Sequence, residues 1–368
     1  MDLNAVASQF SCPGRIVAVE PIGSGNVNDT YLAVFRTPYS ERRAILQKIN
    51  RKIFKNPAWI IENMRVVTEH AYSVLERESK GEDRIWQLPR LIPARSGRNR
   101  YIDPAGNWWR AMTVIASATS YDRAQGPRHA LEAGTVLGQF HRLVSSLDPA
   151  RLRDTLPGFH VTPRYLRKYE ATLKKPAAKT RLKKSPQAGR LSVFIKRRRS
   201  LAHALESALK RGELKLRLIH GDPKVNNIMI DDLTGKGTGI VDLDTVKPGL
   251  IHYDFGDALR SICNPAGEEV LQLKDVRFDL KLCEAFIEGY MSRARKFLTL
   301  QDRERLYDSI RLIAFELGLR FFQDFLAGDV YFKVRYPGHN LNRARVQFRL
   351  CQSIENQERE IRRLLARF

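Results

Sequence analysis

Asp222 begins a series of oxygen-bearing side chains at spacings that could do chemistry: His220-Gly221-Asp222-Pro223-Lys224-Val225-Asn226-Asn227, followed by Ile240-Val241-Asp242-Leu243-Asp244. Moving a phosphoryl group requires a carboxylate to take the acceptor's proton. It also requires hard oxygen ligands to hold Mg²⁺ against the phosphates, so positioning and charge neutralisation do most of the work. A loop Asp, an Asn five residues later and an Asp at the end of the next strand supply those groups. The spacing makes Asp222 the candidate base and Asn227 and Asp242 the candidate Mg²⁺ ligands. Asp254-Phe255-Gly256 also spells a known metal-binding tripeptide, but it starts 32 residues after Asp222, whereas Asp242 is 20 away. A catalytic loop, a short strand, a turn and a second strand use about 20 residues, so Asp254 and Asp257 are expected to be structural. An Asx turn would explain any one of these residues alone. It does not explain their joint order and spacing.

A second group lies near the N-terminus. In Ile22-Gly23-Ser24-Gly25-Asn26-Val27-Asn28-Asp29-Thr30, two glycines between strands allow backbone amides to approach a phosphate, so Gly23, Ser24, Gly25 and Asn26 are candidate nucleotide contacts. A cation from the following strands should meet the phosphates. Alternation puts Lys48 on the Leu46 face, which makes Lys48 the candidate, with Arg42 or Arg43 as alternatives and Glu62 or Glu69 as its acidic partner. Farther along, Leu306, Ile310, Ile313, Leu317, Arg320 and Asp324 step by three or four, so Arg320 projects from an apolar helical stripe. A buried arginine needs a partner. Asp324, Glu316 or a substrate could supply it.

These residues need elements to position them. From Arg15 to Lys48 the pattern is strand and turn, and residues 57–78 carry a helical period through Ile60, Ile61, Met64, Val67, Ala71 and Leu75. Strand-like runs follow around 86–92, 100–103 and 108–115. After Ala118 the character is helical near 131–144, 201–209, 278–291, 303–327 and 341–366, interrupted by short β patterns in LRLIHGD, NIMID and GIVDLD. The expectation is an α+β fold with two lobes: residues 1–115 as a small antiparallel β lobe carrying one helix, 116–120 as a hinge, and 121–368 as a larger, mainly helical lobe.

Hydrophobic residues make up 43% and charged residues 28%, the balance of a globular chain rather than a disordered one. No apolar run of membrane-spanning length and no secretory leader pattern is present, and four scattered cysteines fit a reducing compartment, so a cytoplasmic location is expected. The net charge of +23 is concentrated between Arg164 and Arg217, where 18 Lys/Arg face three acids. The bland reading is a solvated helical face with a mobile loop at KKPAAKTRLKKSPQAGR. No nucleic-acid motif accompanies the charge, so nucleic acid is not an expected partner.

The chain resembles the aminoglycoside phosphotransferase and choline kinase superfamily and, more narrowly, the bacterial N-acetylhexosamine 1-kinases. The likeness is carried by GNVNDTYL, SYD at 120–122, PGFHVTP, HGDPKVNN, VDLDTVKPGL, DFGDALR and LGLRFFQDFLAGDVYF. It implies a bilobal protein-kinase-like fold and transfer of the γ-phosphate of ATP, with Mg²⁺, to the anomeric hydroxyl of a sugar. Residue by residue, it implies Asp222 as base, Asn227 and Asp242 at the metal, adenine contacts around Ile115 and Ser117, and Asp244, Arg320 and Tyr331 at the substrate. Two positions depart from the family pattern. Ile115-Ala116-Ser117 stands where I-E-G is usual, and Pro223 stands where Thr is usual. The alternative acceptors are an amino alcohol, an aminoglycoside or another hydroxylated metabolite. A basic polymer-binding protein on the same scaffold is the remaining reading. His160 reads as a core or capped histidine.

Overall fold

Period-two alternation in three neighbouring strands builds one core of the protein. In β2 (Asp29–Arg36), β3 (Glu41–Lys48) and β6 (Trp108–Thr113), the residues Ala33, Phe35, Ala44, Leu46, Trp109 and Ala111 share one face. They bury against Val6, Ala7 and Phe10, contributed by the short helix α1 (Leu3–Ala7) and the chain just after it. Asp2 caps α1 by accepting from the backbone N–H groups of Asn4 and Ala5. The sheet is antiparallel with strand order β1-β2-β3-β6-β4, where β1 is Arg15–Pro21 and β4 is Leu91–Ile92; β5 (Tyr101–Ile102) pairs with β6. Pairing of Gln47 with Arg110 and of Leu46 with Ala111 sets which side chains reach each face. Helix α2 (Pro57–Glu78) begins with a proline, whose missing N–H costs nothing there. Its six expected core positions, Ile60, Ile61, Met64, Val67, Ala71 and Leu75, are all buried.

The computed structural model describes residues 2–23, 27–78 and 84–368, which divide into two units. The first unit is Met1–Thr119, Ser146–Leu156 and Met229–Pro248; the second is Ser120–Ser145, Pro157–Ile228 and Gly249–Phe368. This differs from a contiguous division near residue 116, because two later segments return to the first unit. The amide of Asn63 on α2 donates to the carbonyls of Arg153 (2.7 Å) and Val246 (2.9 Å) and accepts from the Arg153 N–H (3.0 Å). Gln87 donates its N–H to the Thr238 carbonyl at 2.7 Å, and β7 (Ala118–Thr119) pairs with Ile230 and Asp231. Asp242 and Asp244 belong to the first unit and Asp222 and Asn227 to the second.

The second unit is mainly helical. Helices α3 (Pro127–Val144) and α9 (Leu280–Ala294) approach closely because glycines remove side chains at the contact. A Cβ at Gly289 would fall 1.9 Å from the Leu131 carbonyl oxygen, and one at Gly134 would fall 2.1 Å from that of Phe286. The basic stretch, expected to include a loop, instead forms α4 (Thr162–Leu173), α5 (Pro176–Lys184), α6 (Pro186–Arg197) and α7 (Ala204–Lys210). Prolines within the first turns of α4, α5 and α6 make that possible. Helices α8 (Ile251–Ile262), α10 (Leu300–Glu304), α11 (Leu306–Ala327), α12 (His339–Asn356) and α13 (Glu358–Leu365) complete the unit. Helix α11 is buried on nearly all sides and forms the centre of the unit, not a one-sided stripe. Among the described residues, no helix is long and apolar enough to cross a membrane.

Candidate active site

The loop after the strand Arg217–Ile219 is held by one buried carboxylate. Asp254, in the first turn of α8, is fully buried and accepts from the His220 N–H (2.6 Å), the Gly221 N–H (2.8 Å) and His141 Nε2 (2.9 Å). Burial alone would raise this carboxyl, but His141, His220 and the Gly221 N–H outweigh it and hold it below the usual range. Gly221 sits at φ 87°, where other residues are strained, so the turn that leads to Asp222 requires glycine. Val225 N–H donates to Ser261 Oγ at 3.1 Å and ties the far side of the loop to α8. The DFG-like Asp therefore anchors the loop.

On that loop, Lys224 Nζ lies 2.8 Å from Asp222 Oδ2, and Asn227 Nδ2 donates to the Asp222 carbonyl (2.7 Å) and to Oδ2 (3.3 Å). All of these contacts fall on one side of the carboxylate, so no described residue donates to Oδ1. With its nitrogen turned to Asp222, the Asn227 amide keeps Oδ1 as an acceptor that no described residue uses. A hard oxygen in that position fits a Mg²⁺ ligand. Among the described residues, no three His, Cys, Asp or Glu gather as a metal cage.

The sequence reading missed the brace behind this loop. His160, at φ 65° and buried, bonds Glu316 Oε1 through Nδ1 (3.0 Å) and the Gly221 carbonyl through Nε2 (2.8 Å). Both partners accept, so both ring nitrogens donate and the ring is cationic. Burial would lower its pKa, but Glu316 and the other partners raise it above the usual imidazole value. Thr162 Oγ1 occupies the other Glu316 oxygen at 2.7 Å. A histidine followed two residues later by threonine gives no such signal by itself, because its partner lies 156 residues away. Asp257, buried beside Asp222 and Arg260, is raised first by burial, with Arg260 opposing and the Asp222 charge adding. Arg260 bonds Asp257 at 2.9 Å and also reaches Glu268.

Arg320 takes neither expected acidic partner. Its guanidinium lies 5.1 Å from the Phe159 and Tyr165 ring centres and 5.6 Å from that of Phe332. Burial pushes the Tyr165 hydroxyl up to about 12, with Arg320 pulling the other way. Asp324 instead collects the N–H groups of Val330 (3.1 Å), Tyr331 (2.9 Å) and Phe332 (2.9 Å), plus Asn340 Nδ2 (3.0 Å). That clamp shapes the GDVYF loop, seats the Phe332 ring beside Arg320 and leaves Tyr331 58% exposed.

In the first unit, the two acids of Asp242-Leu243-Asp244 part company. Asp242 is exposed and sits in the left-handed region at φ 64°, ψ 58°, a conformation that costs about 1–3 kcal/mol and gathers at functional sites. Asp244, expected at the substrate, is 2% exposed, and both its oxygens are engaged, by Arg110 and Asn28. Asn28 Oδ1 also accepts from the Asn50 N–H at 2.8 Å, which makes Asp244 the anchor of the segment leading into β2. Lys48 also differs from expectation. It pairs with Asp29 at 2.6 Å, and that hydrogen bond raises its pKa, while Glu62 and Glu69 both bind Arg65. Lys48 does share the Leu46 face, as alternation requires, but the cross-strand pairing of Lys48 with Asp29 supplies its acid, and register puts Arg110 opposite Gln47 on the face that reaches Asp244. Gln47 Oε1 accepts from Arg110 Nε at 3.0 Å, so the buried cation of this face is Arg110. A lone arginine inside the apolar strand Trp-Trp-Arg-Ala-Met was the available signal. Ile115 is buried, and Ser117, at φ 52°, lends its carbonyl to the Asp232 N–H at 2.9 Å. Gly23 sits at φ 74°, and Ser24, Gly25 and Asn26 lie outside the described residues.

The profile of the phosphotransferase enzyme family, APH, matches residues 18–279, most of the chain. The protein belongs to that family. As a family member it is a small-molecule phosphotransferase, and its α+β fold is shared by solved structures of low identity. A microcompartment-associated aminopropanol kinase is 18% identical, with 98% of each chain covered and a TM-score of 0.62. A choline kinase from Cryptosporidium parvum Iowa II is 14% identical over 94% of this chain and 91% of its own, with a TM-score of 0.59. A spectinomycin phosphotransferase solved with ADP and spectinomycin is 12% identical over 93% and 94%, with a TM-score of 0.53.

Proposed function

We propose that this phosphotransferase is an ATP- and Mg²⁺-dependent kinase acting on a sugar hydroxyl, the anomeric hydroxyl of an N-acetylhexosamine or a related sugar, in the cytoplasm. The observation that carries the reading is Asp222, locked on its loop by Asp254 and His160, with Lys224 and Asn227 on Oδ2 and Oδ1 left open. In this reading Oδ1 accepts the hydroxyl proton as the acceptor oxygen attacks the γ-phosphorus and ADP departs. Asn227 and Lys224 orient the carboxylate. Asn227 Oδ1 and Asp242 are the proposed metal ligands; Mg²⁺, when bound, supplies charge neutralisation at the phosphates. The described Gly23 and the turn at Ile115–Ser117 remain proposed nucleotide contacts, together with Ser24, Gly25 and Asn26. Arg320 and Tyr331 are proposed for the acceptor, while Asp244 becomes an anchor and Arg110 replaces Lys48 as the cation of interest.

The second reading, an amino-alcohol or aminoglycoside acceptor, draws on the names of the solved neighbours. Arg320 counts against it, because an ammonium group would meet a like charge. An assay of ADP release across sugars, choline, homoserine and aminoglycosides, with products mapped by phosphorus NMR, separates the two. Asp222→Asn should keep the fold and ATP binding yet lose turnover by about 10²–10⁴-fold, the usual contribution of a general base. Turnover of that variant at the wild-type rate would remove Asp222 from the role.

A further inference from the structure

Among the charged groups around α11 in the second unit, Arg320 stands without a hydrogen-bonded carboxylate. Lys224 is paired with Asp222, Arg260 with Asp257 and Glu268, and the cationic His160 with Glu316. Glu316, one turn before Arg320 on α11, and Asp257 both act on it electrostatically, but Glu316 gives its two oxygens to His160 and Thr162, and Asp257 is bonded to Arg260. Asp324, one turn after, is taken up by three backbone N–H groups and Asn340. Arg320 therefore has aromatic rings on its faces and no carboxylate on its edge. None of its nitrogens donates a hydrogen bond to a described residue, and none is sealed from solvent. A guanidinium among rings is partly stabilised by their π faces, but its N–H edge keeps its full donor capacity and no carboxylate is hydrogen-bonded to it. The edge matches a planar carboxylate, which can accept two parallel N–H bonds.

We propose that Arg320 is the specificity-determining residue for an acceptor that brings its own carboxylate, a sugar acid of the hexuronic class. This rests on the sugar-kinase reading and narrows it: the acceptor's carboxylate supplies the hydrogen-bonding partner that no described residue gives the Arg320 edge. A neutral N-acetyl carbonyl would use part of the fork and forgo the charge-assisted bidentate pair. An amino sugar would repel it. The clamp made by Asp324 keeps Phe332 against the guanidinium, so its edge is presented in one orientation.

The test uses the full chain with ATP and Mg²⁺ and three matched acceptors: glucosamine, N-acetylglucosamine and glucuronate. Support is a kcat/KM for glucuronate at least about tenfold above that for N-acetylglucosamine, as expected for a charge-assisted over a neutral hydrogen bond. Arg320→Gln should lower kcat/KM for glucuronate by about 10²-fold, mainly through KM, so that the preference collapses. Arg320→Lys should restore it only in part, because it keeps the charge and loses the fork. A nucleotide-dependent rise in Tm shows that each variant is folded. A neutral sugar preferred by the wild type overturns the proposal and leaves the kinase reading standing. Equal losses on all acceptors in Arg320→Gln also overturn it, since they mark a structural brace. ADP release only with amino alcohols or aminoglycosides, or with no acceptor at all, overturns both.

Discussion

Asp254→Asn isolates the device that holds the candidate catalytic loop. The side chains are nearly isosteric, so the change is in charge and donor pattern. Wild-type Asp254 receives two donors on Oδ2, His220 N–H and His141 Nε2, and one on Oδ1, Gly221 N–H. The best orientation of an asparagine keeps its oxygen at the two-donor position, which turns its NH₂ toward the Gly221 N–H. The Gly221 N–H and the new NH₂ then face each other without an acceptor, the first alone costing about 1–3 kcal/mol. The two remaining bonds lose the anion, and charge-assisted bonds are roughly twice as strong as neutral ones, which brings the total to about 3–5 kcal/mol. At about 2–4 °C per kcal/mol for a unit of this size, Tm should fall by about 6–20 °C. Turnover should fall further, by about 10²-fold, because Asp222 follows directly from the released Gly221 and small displacements of a reacting group are costly. Calorimetry and ADP-release kinetics on the same preparations read both quantities. An Asp254→Asn protein with unchanged Tm and unchanged kcat would refute the anchoring argument.

The brace between His160 and Glu316 should show itself in the pH dependence of stability. His160 is held above its ordinary 6.5, so its contribution is whole below that value and is lost as pH rises through the raised one. Glu316 is held below its ordinary 4.5, since its partners outweigh the burial that would raise it; its contribution is present above 4.5 and is lost as pH falls through the lowered value. The Tm difference between wild type and His160→Gln, followed by calorimetry from acid to alkaline pH, should therefore be largest between those limits and shrink beyond each. A difference independent of pH would remove the ion pair from the account. Gly289→Ala should destabilise by about 1–3 kcal/mol or more, because its Cβ would fall 1.9 Å from the Leu131 oxygen and force α3 and α9 apart. Chemical denaturation measures it, and a neutral result would mean that the two helices separate without loss.

Much was legible in the sequence because it was local. Elements with strong periodicity, such as α2 at Pro57–Glu78, follow from residues that neighbour one another along the chain. The order of Asp222, Asn227 and Asp242 is likewise a matter of spacing, and Gly221 at φ 87° is a local demand of the turn. The basic stretch was misread in one respect, since prolines at helix starts resemble prolines in loops until the flanking residues find something to pack against.

What the sequence could not reveal depends on partners far apart in the chain. Asp244 and Arg110 are 134 residues apart, and nothing near either predicts that a carboxylate beside a candidate metal ligand would be spent on an arginine in a strand. Alternation alone sets Lys48 and Gln47 on opposite faces; what only the assembled sheet decides is the register that puts Arg110 opposite Gln47. The choice between Glu316, Asp324 and a substrate as the partner of Arg320 was open along α11 because helical spacing allows all three. The structure removes two of the three, because His160, Thr162 and the backbone of residues 330–332 claim both acids. Local chemistry thus determines which groups are present and in what order, while long-range packing determines which of them are already satisfied and which remain available to a ligand.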